Sequence, residues 1–121
     1  MTRKALAIAI CLASFAALSS VATARLTFDS TIKLYNSAPA FHGRVNSEGG
    51  SFCVQNRKVK MFKRRNGPDR LLGRDHTNHE GRWTIHFPPP SGVYYARVKE
   101  LSSASLDVTC RRDKSNVIVI D

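Results

Sequence analysis

An all-β fold, with antiparallel strands packed as a sandwich, is what this sequence predicts on three observations. Apolar and polar residues alternate with a period of two in segment after segment, the pattern of a sheet with one face buried. Beyond residue 24, no stretch of eleven or more positions repeats apolar residues at i, i+3, i+4 and i+7, so no helix is expected. Clusters of Gly, Pro, Asn and Ser divide the alternating segments into seven or eight short strands, the spacing of an all-β domain.

The first element stands outside that fold. In MTRKALAIAICLASFAALSSVATARL, Arg3 and Lys4 precede an apolar run from Ala5 to Leu18, and Ala22-x-Ala24 offers a small-residue cleavage site. The run is shorter than the roughly 20 residues that cross a bilayer. Residues 1–24 therefore read as a secretory signal peptide, and residues 25–121 as a single exported domain with one core. Cys11 lies within the apolar run without the small-residue approach of a lipoprotein cleavage site.

The strands follow in order. LTFDSTIKL turns Leu26, Phe28, Ile32 and Leu34 one way and Thr27, Asp29, Thr31 and Lys33 the other. FHGRV repeats the pattern with Phe41, Gly43 and Val45, and NSEGGS is a loop into Phe52-Cys53. RKVKMFKRR alternates Val59 and Met61 with Lys58 and Lys60 before the turn NGPD. RLLGRDHT comes next, then RWTIHF, where Trp83, Ile85 and Phe87 oppose Arg82, Thr84 and His86. PPPSG is a loop, because consecutive prolines cannot donate to a ladder. VYYARVK and SLDVTC read as strands, and the apolar NVIVID as a central or core strand.

The chain carries 19 Lys+Arg against 9 Asp+Glu. Cleavage would remove Arg3 and Lys4, leaving 17 cations against the same 9 acids, a charge of +8. Such a domain favours polyanions as partners. Export also meets an oxidising compartment, and two cysteines remain there, Cys53 and Cys110, with one intramolecular pairing between them. A bridge closing a loop of about 60 residues contributes about 4 kcal/mol in the chain-entropy account.

The ordered set of Gly43 and Val45, Val59 and Met61, Thr77-Asn78-x-x-Gly81-x-Trp83, Tyr94-Tyr95-Ala96 and the closing apolar strand resembles the transthyretin-like and carboxypeptidase-regulatory-like domains. The resemblance spans residues 41 to 120. It implies a seven-stranded antiparallel, immunoglobulin-like (prealbumin-like) sandwich, usually without catalysis of its own, appended to enzymes or standing alone as a small exported protein. One branch of the fold hydrolyses a purine-breakdown product and carries a Tyr-Arg-Gly-Ser signature. The stretch Asn116–Asp121 has no such signature, and residues suited to a hormone pocket are lacking, so neither activity is expected.

Candidate chemistry is sparse. GRDHTNHEGRW brings His76, His79 and Glu80 together, but a three-residue offset on a strand sends the two histidines to opposite faces. Under the resemblance this segment is a β-hairpin, with Asn78 bonding nearby backbone and Gly81 supplying a positive φ. No metal site and no cofactor are expected. His42 and His86 stand alone, Ser47 and Ser51 lie in a loop without a nucleophile elbow, and Gly49-Gly50 is a loop pair and not a phosphate cradle.

Charge rises above this background. Arg57, Lys58, Lys60, Lys63, Arg64 and Arg65 crowd together, with Arg70 and Arg74 beyond the turn and Arg111, Arg112 and Lys114 near Cys110. The first six are the candidate polyanion-binding residues. With only Phe62 inside the run, base stacking and specific nucleic-acid recognition are not expected. The sequence thus describes a secreted, extracellular or envelope, non-catalytic binding or structural module. Its alternatives are a cationic protein that binds anionic polymers or surfaces and a small secreted hydrolase using the histidines.

Overall fold

The structure, a computed structural model, describes residues 25–37, 40–87 and 90–121. The expected signal peptide lies outside the described residues. Among those residues the fold is all-β, eleven strands with one four-residue helix. Strands β2 (Ser30–Ser37), β3 (Ala40–Ser47) and β6 (Arg82–His86) form a sheet in the order β2-β3-β6. Strands β5 (Arg70–His76), β4 (Lys58–Lys63) and β7 (Gly92–Val98) lie side by side in a second sheet. The far edge of β7 is shared by β10 (Asp113–Lys114) and β11 (Ile118–Ile120). A small third sheet joins β1 (Leu26–Phe28), β9 (Val108–Cys110) and β8 (Leu101–Ser103).

Five expectations are corrected. LTFDSTIKL is two strands, broken at Asp29; β1 leaves to pair parallel with β9, and Leu26 is 57% exposed instead of sharing the core face of Ile32 and Leu34. The parallel pair departs from the all-antiparallel reading. The loop NSEGGS runs into the short helix α1 (Ser51–Val54), which carries Cys53, and not straight on into a strand. SLDVTC contributes only β9, because Asp107 takes a positive φ and turns the chain before it. NVIVID is an edge strand. Ser115 accepts from the Ala96 amide through Oγ and donates its own amide to the Ala96 carbonyl, interrupting the strand between β10 and β11. Ile118 and Ile120 pack on the core, but Val119 is 64% exposed, since an edge strand with one covered face shows its alternate side chains to solvent.

The first two sheets share one core. Ile32, Leu34, Phe41, Val45, Trp83 and Ile85 come from β2-β3-β6; Val59, Met61, Tyr94, Ala96 and Val98 come from β4 and β7. Each large side chain buried here contributes about 1.5–3 kcal/mol. Trp83 fits because Gly43 stands opposite it across the β3–β6 pair. A Cβ on Gly43 would lie 2.7 Å from Trp83 Cζ2 and 1.9 Å from the Lys33 carbonyl oxygen.

Side chains close both edges between these sheets. On one edge, the β2 amides of Ile32 and Leu34 donate to Asp113 Oδ2 and Asn116 Oδ1, and Asn116 Nδ2 donates back to the Leu34 carbonyl. On the other, the Thr84 amide of β6 donates to Asp75 Oδ2 of β5. Carboxylate and amide groups thus take the place of a further strand, which satisfies edge donors and blocks pairing with another chain.

Candidate polyanion-binding face

The segment that brings His76 and His79 together is a hairpin connection. Asn78 Oδ1 accepts from the Glu80 and Arg82 amides, and Gly81 has φ +84°. A Cβ on Gly81 would meet the Val45 carbonyl oxygen at 2.2 Å, so the position demands glycine twice over. His76 ends β5 and His79 occupies the exposed tip. His42 stacks on Tyr35 at 5.6 Å and His86 ends β6, so the four histidines lie on separate elements. Among the described residues, no three His, Cys, Asp or Glu side chains are grouped to hold a metal ion.

The six cations of the basic run have four different fates. Arg57 is 0% exposed and takes no part in the surface. Its Nη1 donates to Ser30 Oγ at 2.9 Å and to the Cys53 carbonyl at 2.6 Å; its Nη2 donates to the carbonyls of Lys99 at 2.8 Å and Arg111 at 3.1 Å. Every acceptor is formally neutral, and burial lowers the guanidinium pKa. Two of these carbonyls belong to Cys53 and to the neighbour of Cys110, which are joined as a disulfide with Cα atoms 5.4 Å apart. Arg57 therefore ties together β2, α1 and the residues that follow β7 and β9 beside the bridge. Its expected role as a polymer ligand is withdrawn, because the only charged end of the side chain is inside.

Lys63 shares the inward parity of Val59 and Met61, and its Nζ lies 6.0 Å from the Tyr94 ring centroid, half-buried at the end of the core. Arg64 crosses to the outer face, 5.9 Å from the Tyr95 ring, and Arg65 enters the turn, where its amide donates to Asp69 Oδ1. Lys58 and Lys60 alone project from the outer face of β4, as alternation requires.

That outer face holds what the run does not reveal. Lys60 stands directly opposite Arg74 of β5 on one side and Arg97 of β7 on the other, and Arg97 stands opposite Lys114 of β10. Arg74, Lys60, Arg97 and Lys114 thus form a row of four cations across four strands, about 14 Å from end to end at the usual strand spacing. Two ion pairs occur among the described residues, Arg25–Asp107 and Arg111–Asp29, and neither uses a residue of this row. Like charges directly opposite one another cost sheet stability, and the carboxyl of Asp69, which Lys114 helps to hold low, lies beside one end of the row.

The next row is aromatic. Phe62 stacks on Tyr95 with centroids 5.4 Å apart. Tyr95 is only 2% exposed, because Lys114 Nζ at 4.4 Å and Arg97 at 5.5 Å lie over its ring. Its hydroxyl donates to Asp69. This bond, more than any other influence, holds the Asp69 carboxyl below the usual carboxylate range, while burial first and the Asp69 bond second raise the Tyr95 phenol. The rings pre-position the cations and give up their own faces in doing so. Lys60, Phe62, Arg97, Lys99, Arg112 and Lys114, with Glu100 and Asp113, line an open groove of about 620 Å³ along this face.

Arg97 does not stand out in the sequence, and Lys114 stands out there only beside Cys110 and Tyr95 only through the resemblance. The alternation of Tyr95 and Arg97 against Tyr94, Ala96 and Val98 was there to be read, but nothing in one window aligned it with Lys60. No protein-family model matches the chain, and a search of the curated proteins finds no match.

Proposed function

We propose that this chain is a secreted, non-catalytic β-sandwich module of the transthyretin-like type, in which residues 1–24 direct export and residues 25–121 bind anionic polymers. The observation that carries the reading is the row Arg74–Lys60–Arg97–Lys114, free of ion pairs among the described residues, with Arg97 and Lys114 over a stacked aromatic pair. Arg97 and Lys114, held against rings, lose less side-chain freedom on binding than free side chains do, and each phosphate- or sulfate-type contact releases condensed counterions. The Cys53–Cys110 bridge supports an oxidising destination.

The test is a heparin titration at two salt concentrations, comparing the wild type with the double variant Lys60→Gln/Arg97→Gln. Four charge contacts at roughly 0.7–0.9 ion each give a log–log salt slope near −3, and the double variant should halve it. Binding that does not change with salt, or that survives in this variant and is lost in Arg64→Gln/Arg65→Gln, removes the row as the site.

A further inference from the structure

The sheet on the far side of the core carries a second row. Lys33 of β2 stands opposite Arg44 of β3, and Arg44 stands opposite Arg82 of β6. All three are exposed. Neither ion pair among the described residues involves them, and the one fixed polar contact is from Arg44 Nε to the Glu80 backbone carbonyl at 3.1 Å. As on the first face, the adjacent row is aromatic. Tyr35 stands opposite His42 and stacks on it, but here the tyrosine is 49% exposed.

The core neighbours of these residues, Ile32, Leu34, Val45, Trp83 and Ile85, face Val59, Met61, Ala96 and Val98 of the other sheet. Alternation then turns the two cationic rows away from each other, on opposite sides of the molecule. Packed sheets are ~10 Å apart, and long side chains extend from each outer face, so the rows stand about 20 Å apart. That exceeds two Debye lengths of ~8 Å at physiological ionic strength. An anion on one face is therefore nearly invisible to an anion on the other.

We infer that the chain is bivalent: each face takes one strand of an anionic polysaccharide, and the protein bridges two polymer molecules. The inference rests on the polymer-binding reading of the first face and adds a second, independent site at Lys33, Arg44 and Arg82. Polysaccharide is favoured over single-stranded nucleic acid because base stacking needs successive open rings, whereas Tyr95 is covered and Tyr35 is the single ring on its face that is both large and open.

The test is a two-step capture assay on the disulfide-bonded protein. Heparin is immobilised, the protein is loaded, the surface is washed, and labelled soluble heparin is passed over it. The wild type should capture the second heparin. Lys33→Gln/Arg44→Gln/Arg82→Gln should still load on the surface within about threefold of wild type yet capture at least tenfold less second heparin. Light scattering without heparin must show the monomer, because a dimer would bridge through two copies of one face; capture that tracks dimer content overturns the inference. So does a wild type that loads but captures nothing, which leaves the first face standing. Failure to load at all removes both readings. Capture of a second oligonucleotide in place of heparin overturns the polysaccharide assignment. Circular dichroism of the triple variant controls for folding, and Lys33→Gln with Arg82→Gln alone should give an intermediate loss.

Discussion

Removing the buried guanidinium should cost this protein a large part of its stability. In Arg57→Ala, four hydrogen bonds from a charged donor disappear, and the carbonyls of Cys53, Lys99 and Arg111 lose their donor together with Ser30 Oγ. Each buried acceptor left unpaired costs about 1–3 kcal/mol, and the vacated volume adds a cavity cost. Against this, the charge no longer has to be kept out of water, the penalty that lowers the Arg57 pKa. Removal of one partner from a buried charged network nets about 3–5 kcal/mol, out of the 5–15 kcal/mol typical of a folded domain. Urea unfolding measures it: with m near 1–3 kcal/mol/M, the midpoint should fall by about 2 M. Arg57→Lys should lose a good part of the same amount, because one ammonium cannot address four acceptors that a planar fork reaches together. An alanine variant within about 0.5 kcal/mol of wild type at unchanged m would refute the reasoning, since it would mean that the four acceptors find other donors at no cost.

Other outcomes are expected. Peptide mapping without reductant should recover Cys53 linked to Cys110, and Cys53→Ser/Cys110→Ser should destabilise by about 2–5 kcal/mol; two alkylatable thiols in the native protein would contradict this. Gly43→Ala should cost at least about 1–3 kcal/mol, because the new methyl meets Trp83 and the Lys33 carbonyl, and loss of the native tryptophan fluorescence maximum would accompany it. The Tyr94 and Tyr95 phenols are raised, mainly by burial. The folded state holds these protons to higher pH than the unfolded chain does, so their contribution is full below pH ~10 and is lost as pH rises beyond it. Urea midpoints through that range should decline in wild type and less in Tyr95→Phe; parallel curves would exclude the effect. N-terminal sequencing of secreted material should begin at Arg25, and a retained Met1 would refute export by cleavage.

What could be read in advance followed from parity. Trp83 and Ile85 alternate with Arg82 and Thr84, and the core takes the first pair because a strand with one covered face has no other choice. The same parity put Arg57 and Lys63 on the face of Val59 and Met61, and there a composition rule, that charged residues stay outside, prevailed over the pattern and misplaced Arg57. An arginine that begins such an alternation is a buried candidate whenever unpaired carbonyls collect at strand ends, as they do here beside the bridge. The apolar NVIVID misled in the opposite way, since hydrophobic side chains on an edge strand are compatible with exposure of every second one. The cationic rows were out of reach for a different reason. Positions 60, 74, 97 and 114 become neighbours only through the registers of three strand pairs, one of which shifts at a bulge between Met61 and Phe62. A window sliding along the chain sees Arg57 to Arg65 as one dense run, yet folding scatters that run to the interior, the core margin, the turn and the outer face. Charge density along the sequence is thus a poor guide to charge density on a sheet, where the effective line of contact runs across the strands.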